Sequence, residues 1–150
     1  MPRRLNRREA LTAGAAAFAA GLGSAPGPAR ALNDYADQIK KFTGGKTPVE
    51  GRVRLELPEL AENGNTVPLS VAVDGAAGEG AQVQEILVVA PENPNPRVIR
   101  FRFSTLSVPE ASTRIRLAAT QDVFAVAKLS DGTFFSASRQ IKVTIGGCGG

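Results

Sequence analysis

The stretch Val123-Phe124-Ala125-Val126-Ala127-Lys128-Leu129, followed by Ser130-Asp131-Gly132-Thr133 and a long run from Phe134 to Ile145, decides the fold. Two β-rich runs flank an Asp-Gly pair, the residue types that accept the positive φ of a tight hairpin turn. A last strand is therefore expected over 134–145, with a bulge near Ser138. The same two-residue period recurs upstream. Val53, Leu55 and Leu57 alternate with Arg54 and Glu56, and Val67, Leu69, Val71 and Val73 alternate beyond the turn signal Asn63-Gly64-Asn65. Val83 to Val89 is more continuously apolar, as a central strand would be. Ile99, Phe101 and Phe103 alternate with Arg100 and Arg102, and Thr113, Ile115 and Leu117 with Arg114 and Arg116. Each alternation puts one face of a strand inward and the other in solvent.

Seven such runs separated by turn signals imply an all-β fold, an immunoglobulin-like antiparallel β-sandwich. Pro91 to Pro96 excludes helix and ladder alike. Asp74 to Gly80 lacks the Lys-Ser/Thr ending of a phosphate-binding loop and is expected to be a plain connection between strands. One short helix precedes the strands. Asn33 or Asp34 can cap it, Tyr35, Ile39 and Phe42 share a face, and Gly44-Gly45 ends it. The seven Phe residues are expected mostly at inward positions of strands, and the Arg pairs 100/102 and 114/116 on a solvated face with carboxylates across from them.

Composition removes several classes of function. The 150 residues contain no His and one Cys. No Ser-His-Asp triad, Cys-His pair or His-containing zinc site can be built, and no internal disulfide or thiolate cluster. No catalytic residue and no metal site is expected, and the chain is read as a non-enzyme without a cofactor. The formal charge of +4 is confined to the beginning. Five arginines up to Arg30 face only Glu9, whereas the remainder holds thirteen basic and thirteen acidic residues. A neutral body lacks the electrostatic footprint of nucleic-acid binding.

Residues 1–31 read as an export signal. Arg3 to Arg8 form a basic region, Leu11 to Leu22 an apolar one, and Ala29-Arg30-Ala31 a small-x-small cleavage site that would leave Leu32 as the first residue. Twelve apolar residues would span about 18 Å as a helix against a bilayer core of roughly 30 Å, so no membrane anchor is expected. Arg7-Arg8-Glu9-Ala10-Leu11 matches the twin-arginine pattern, with Ala10 where Phe is usual. That route carries folded cargo, so the expected location is the periplasm. The expected organisation is a signal over 1–31, a sandwich over 32–145 and an arm over 146–150.

The arm is Gly146-Gly147-Cys148-Gly149-Gly150. It follows a β-branched strand that needs nothing further to finish the fold, and glycines make it flexible. Three residues beyond Ile145 would reach roughly 10 Å. A thin arm of this kind can enter a narrow channel and carry a group bound to sulfur, but it cannot hold a substrate in fixed geometry. No basic residue adjoins Cys148 to lower its thiol pKa, so activation must come from the site that receives it. Gly147→Val or Gly149→Val is expected to leave the fold intact and slow turnover with partner enzymes.

These features together resemble one known family. The leader, Thr47-Pro48 to Gly51, Leu57-Pro58-Glu59-Leu60-Ala61-Glu62-Asn63-Gly64-Asn65-Thr66-Val67-Pro68, Asn93-Pro94-Asn95-Pro96, Ser112-Thr113-Arg114-Ile115-Arg116-Leu117-Ala118 and the terminal Gly-Gly-Cys-Gly-Gly are similar to the SoxY family of bacterial thiosulfate oxidation. The resemblance implies that Cys148 is the point of covalent sulfur attachment. It implies a SoxZ-like subunit as heterodimer partner. A c-type cytochrome enzyme would join thiosulfate to the thiol, and a dimanganese hydrolase would release sulfate and leave a persulfide; in some organisms a molybdenum–haem sulfane dehydrogenase oxidises the remaining sulfur, and hydrolysis then regenerates the carrier. Neither a membrane nor a nucleic acid is among the implied partners.

Three other roles can be weighed from the residues. A ubiquitin-like thiocarboxylate carrier would share the final Gly149-Gly150, but it needs ATP and a long helix across its sheet. An assembly module would use Cys148 for an interchain disulfide. A metal-binding tail would need more ligands than one Cys.

Overall fold

The computed structural model describes residues 34–75 and 80–147. The leader over 1–31 and the middle of the Asp74–Gly80 connection lie outside the described residues, as do Asn33, Cys148, Gly149 and Gly150.

The first described element is the short helix α1 (Tyr35–Thr43). Asp34 sits at its N-cap position without a side-chain capping bond, and Gly44 ends it in the left-handed region at φ 64°. Nine strands follow among the described residues: β1 (Val49–Glu50), β2 (Val53–Glu56), β3 (Leu60–Asn63), β4 (Val67–Val73), β5 (Val83–Val89), β6 (Arg97–Arg102), β7 (Glu110–Ile115), β8 (Gln121–Leu129) and β9 (Phe134–Ile145). They form two sheets. The larger runs β1-β9-β8-β5-β6 with β3 also on β9, and the smaller runs β2-β4-β7.

The seven strands expected from the alternation are β2 and β4 to β9. Their pairings are antiparallel, as a sandwich of this kind requires. The two additions, β1 and β3, are short and lie parallel to opposite halves of β9. Neither carries a usable alternation. Val49 and Leu60 are solvent-exposed, and only Ala61 of β3 is buried. Both strands exist because the long edge of β9 has unpaired backbone groups to satisfy.

The core between the sheets is aliphatic. Leu55, Val67, Leu69 and Val71 of the small sheet meet Ile86, Val88, Val123, Ala125, Ala127 and Ile141 of the large one. The β5 and β8 strands are buried on both faces, which explains their continuous apolar runs. Their opposite face, with Leu87, Val89 and Val126 fully buried, lies on the side where α1 packs. Tyr35 of α1 stacks on Phe124 with ring centroids 5.6 Å apart, and Phe42 meets Phe134 edge-on at 6.0 Å. Among the described Phe residues, only Phe134 falls in the buried core, while Phe101, Phe103 and Phe135 pack against it half-exposed. Most of the described Phe residues thus face inward as expected, but at the edges: β-branched and Leu side chains fill the narrow gap between sheets, and rings cover its margins.

The β8–β9 hairpin turns at Asp131-Gly132 as read. The Asp131 carboxylate accepts hydrogen bonds from Thr133 Oγ1 at 2.6 Å and Thr133 N at 2.9 Å, and these hold its pKa below the ordinary aspartate range. No bulge occurs near Ser138, which pairs with Phe124 in an unbroken register. The irregularities fall in β5 instead, between Val83 and Glu85 and between Val88 and Val89.

Candidate functional site

The strand that carries the terminal segment leaves the sheet at Ile145, where it meets two other backbone segments, those of Gly64 and Leu117. Gly64 N donates to Ile145 O at 2.7 Å and continues the β3–β9 ladder. Leu117 N donates to Gly64 O at 2.8 Å, and Gly147 N donates to Leu117 O at 2.8 Å. The three segments are therefore laced by consecutive main-chain bonds, and Gly64 and Gly147 are both buried.

Close approach of backbones is the physical reason for glycine at these positions. A Cβ on Gly147 would stand 2.7 Å from Gly64 O, 2.8 Å from Gly64 C and 2.9 Å from Asn65 N. A Cβ on Gly64 would overlap the Leu117 carbonyl oxygen and come within 2.6 Å of Gly147 N. A Cβ on Gly146 would overlap the Ala118 carbonyl oxygen. All of these are main-chain atoms, which cannot rotate aside as a side chain can.

This corrects the expectation that Gly146 and Gly147 belong to a flexible arm. Glycine permits mobility, but it also permits the tightest packing, and here the second property is used. The anchor lies one residue before Cys148, so the reach counted from Ile145 overstates what the tail has while the anchor holds. Gly147→Val is likewise not neutral for the fold, because its side chain would displace Gly64.

The Leu117 segment is itself held from behind by buried polar groups. Asn93 Nδ2 donates to Arg116 O at 2.8 Å, and Ala118 N donates to Asn93 Oδ1 at 2.9 Å. Gln121 Nε2 donates to the same Asn93 Oδ1 at 3.2 Å and to Ala119 O at 3.1 Å, while Gln121 Oε1 accepts from Glu92 N at 2.9 Å. Thr120 Oγ1 accepts from Val143 N at 2.9 Å. Asn93 and Gln121 are nearly inaccessible, at 7% and 5% exposure. A buried amide that satisfies two backbone groups fixes a loop as a strand ladder would.

Sequence reasoning places Asn93 in the proline-rich segment that is neither helix nor ladder, and Gln121 just outside the strand read from Val123. Their signal was weak: an Asn between prolines, and a Gln opening an apolar run. Gly64 was read only as a turn residue, although the turn is real, with Asn65 N bonded to Asn63 Oδ1 at 2.9 Å. The Arg pairs divide. Arg100 and Arg102 flank Glu85, at 3.7 Å and 3.2 Å, as a solvated face should. Arg114 stands across from Pro68, and among the described residues no carboxylate pairs with Arg114 or Arg116. No group of His, Cys, Asp and Glu side chains suited to a metal ion occurs among the described residues, and no helix among them is long and apolar enough to cross a membrane.

The fold and site define a two-sheet sandwich whose last strand is clamped by backbone immediately before a single terminal Cys. The family described as sulfur oxidation protein SoxY matches residues 39–148, and the chain belongs to it. The structure of the sulfur carrier protein SoxY from Chlorobium limicola f thiosulfatophilum is similar, with 32% identity and a TM-score of 0.62, over 75% of this chain and 97% of that one. A superoxide reductase (neelaredoxin) from Ignicoccus hospitalis matches at 18% identity and a TM-score of 0.55, over 62% of this chain and 80% of its own. A putative superoxide reductase from Thermotoga maritima matches at 16% identity and a TM-score of 0.53, over 68% and 89%. The last two show a shared fold alone. No curated protein sequence matches the chain.

Proposed function

We propose that this chain is a periplasmic sulfur carrier. It holds thiosulfate-derived intermediates covalently on Cys148 and presents them to the enzymes of thiosulfate oxidation, without catalysing a step itself. The observation that carries the reading is the site at the end of β9. The last described residue, Gly147, is clamped by its backbone to Leu117, and the single thiol of the chain follows directly, between glycine pairs that add no bulk. Membership of the SoxY family supports it, and the match extends to Cys148.

In this reading a c-type cytochrome enzyme couples thiosulfate to the Cys148 thiol. The coupling removes two electrons and two protons, counting one proton from the thiol and one from hydrogen thiosulfate, and leaves a cysteine S-thiosulfonate. A dimanganese hydrolase adds water across the outer S–S bond, so sulfate leaves and a persulfide remains. A SoxZ-like subunit completes a heterodimer that is exported folded by the twin-arginine route.

Intact mass of the chain isolated without reductant from periplasm of thiosulfate-grown cells tests the proposal. The expected spectrum shows a chain beginning at Leu32 with reductant-labile sulfur or thiosulfonate additions on the C-terminal peptide. An unmodified thiol or a plain disulfide dimer on every molecule would overturn it in favour of an assembly module.

A further inference from the structure

The two sheets leave one side of the sandwich open, where β6 ends the large sheet and β7 ends the small one. A cleft of about 320 Å³ lies on this side, lined by Asn93, Asn95, Arg97, Arg114 and Arg116. Its three arginines are exposed. Arg114 Nη1 donates to Thr66 Oγ1 at 3.5 Å, and among the described residues no carboxylate lies within ion-pair distance of any of the three. The contrast with the neighbouring Arg100 and Arg102, both satisfied by Glu85, is informative. Charged side chains on edge strands ordinarily guard against aggregation, but that role needs neither convergence on one cleft nor the absence of counter-charge.

The cleft and the anchor of the terminal segment share one piece of chain. Asn93 lines the cleft and binds Arg116 O and Ala118 N. Leu117, between them, holds Gly147. A partner that engages the arginines is therefore positioned beside Gly147, the residue before Cys148 in the chain.

We propose that the Arg97–Arg114–Arg116 cleft is a docking surface for an acidic patch on the enzymes that act on Cys148, an inference that rests on the carrier reading. Charge complementarity selects this occupant. The chain beyond residue 31 has no net charge, so an uncompensated local positive patch is what an approaching acidic surface senses. Three exposed guanidiniums, one on β6 and two at the end of β7, suit a broad protein rim better than one small ion. Such contacts act chiefly on association rate and on its salt dependence.

The test compares the mature chain with a triple variant, Arg97→Glu, Arg114→Glu and Arg116→Glu, and with the corresponding triple Arg→Lys control. Thermal melting of all three checks the fold. Loading of Cys148 by the thiosulfate-conjugating cytochrome is measured against carrier concentration at low and high NaCl. The glutamate variant is expected to raise KM about tenfold at low salt with kcat within about twofold, and to lose the salt dependence that the parent and the lysine control show. Equal KM and equal salt slopes would overturn the proposal. Calorimetric titration with poly-L-glutamate, on the Cys148→Ser form, reads the cleft without sulfur chemistry. If nothing loads Cys148 yet polyglutamate binding is present in the parent and lost in the glutamate variant, the carrier reading fails and the acidic docking surface stands. Tight binding of inorganic sulfate without polyglutamate binding would overturn the proposal in favour of a small-anion site.

Discussion

A methyl group on Gly147 is a small perturbation with a calculable consequence. In Gly147→Ala the new Cβ stands 2.7–2.9 Å from three main-chain atoms of Gly64 and Asn65, where ordinary contacts lie near 3.5–4.0 Å. No rotamer relieves this. The protein has one inexpensive escape: it releases residue 147, breaking the 2.8 Å bond to Leu117 O and leaving that carbonyl without its partner. The loss is then about 1–3 kcal/mol, one net hydrogen bond plus the penalty of an unmet buried acceptor. Gly64→Ala has no such escape, because its Cβ also overlaps the Leu117 carbonyl and both residues lie inside the fold. It should cost more, about 3 kcal/mol or above. Gly149→Ala, beyond the anchor, should cost nothing measurable. Thermal unfolding gives the order, with each kcal/mol worth several degrees in a domain of this size. Amide exchange gives the location, through the Gly64, Leu117 and Gly147 N–H groups. If Gly147→Ala melts with the parent and those three amides stay equally protected, the clamp is not a stabilising feature and the reasoning fails.

Three further outcomes are expected. Asn93→Ala strands Arg116 O and Ala118 N and should destabilise the domain by about 2–4 kcal/mol in urea titration, with faster exchange at Ala118. Asp131→Asn tests a pH effect whose sign is set by the lowered pKa of the Asp131 carboxylate. A depressed folded pKa stabilises the native state above the unfolded value, about 3.9, and that contribution is lost as pH falls through the folded value. The parent should be more stable at neutral pH, and melting curves of the two proteins should converge in acid. Cys148→Ser should abolish every reductant-labile mass addition while leaving the melting temperature unchanged.

The legibility of this fold followed side-chain periodicity. The β4 and β9 strands were read with their observed bounds, because Val67 to Val73 alternates and Phe134 to Ile145 follows an Asp-Gly turn. The β1 and β3 strands were not, since Val49–Glu50 is two residues long and β3 buries only Ala61. The bulge expected at Ser138 moved to β5 for a related reason: the polar interruption in β9 lies in an exposed, evenly paired stretch, while β5 must match the registers of two different neighbours. At the site, glycine's meaning was ambiguous. The same residue serves a mobile tail and a close backbone crossing, and composition cannot distinguish them.

What the amino-acid order alone determined is the class of the fold and the chemistry of its end: inward-facing aliphatic residues every second position, an apolar central strand, no His, and one thiol set among glycines. These are local properties, carried by each residue wherever the chain goes. Only the tertiary structure decided where the terminal segment is held, because Gly64, Leu117 and Gly147 are separated by long stretches of sequence and meet through main-chain bonds. Every residue has the same N–H and C=O to offer, so no side-chain pattern announces which of them will pair. The open arginine cleft was decided in the same way. Arg97 and Arg114 lie on the free edges of different sheets, and the packing of those sheets brings them together beyond the reach of any acidic neighbour in the sequence.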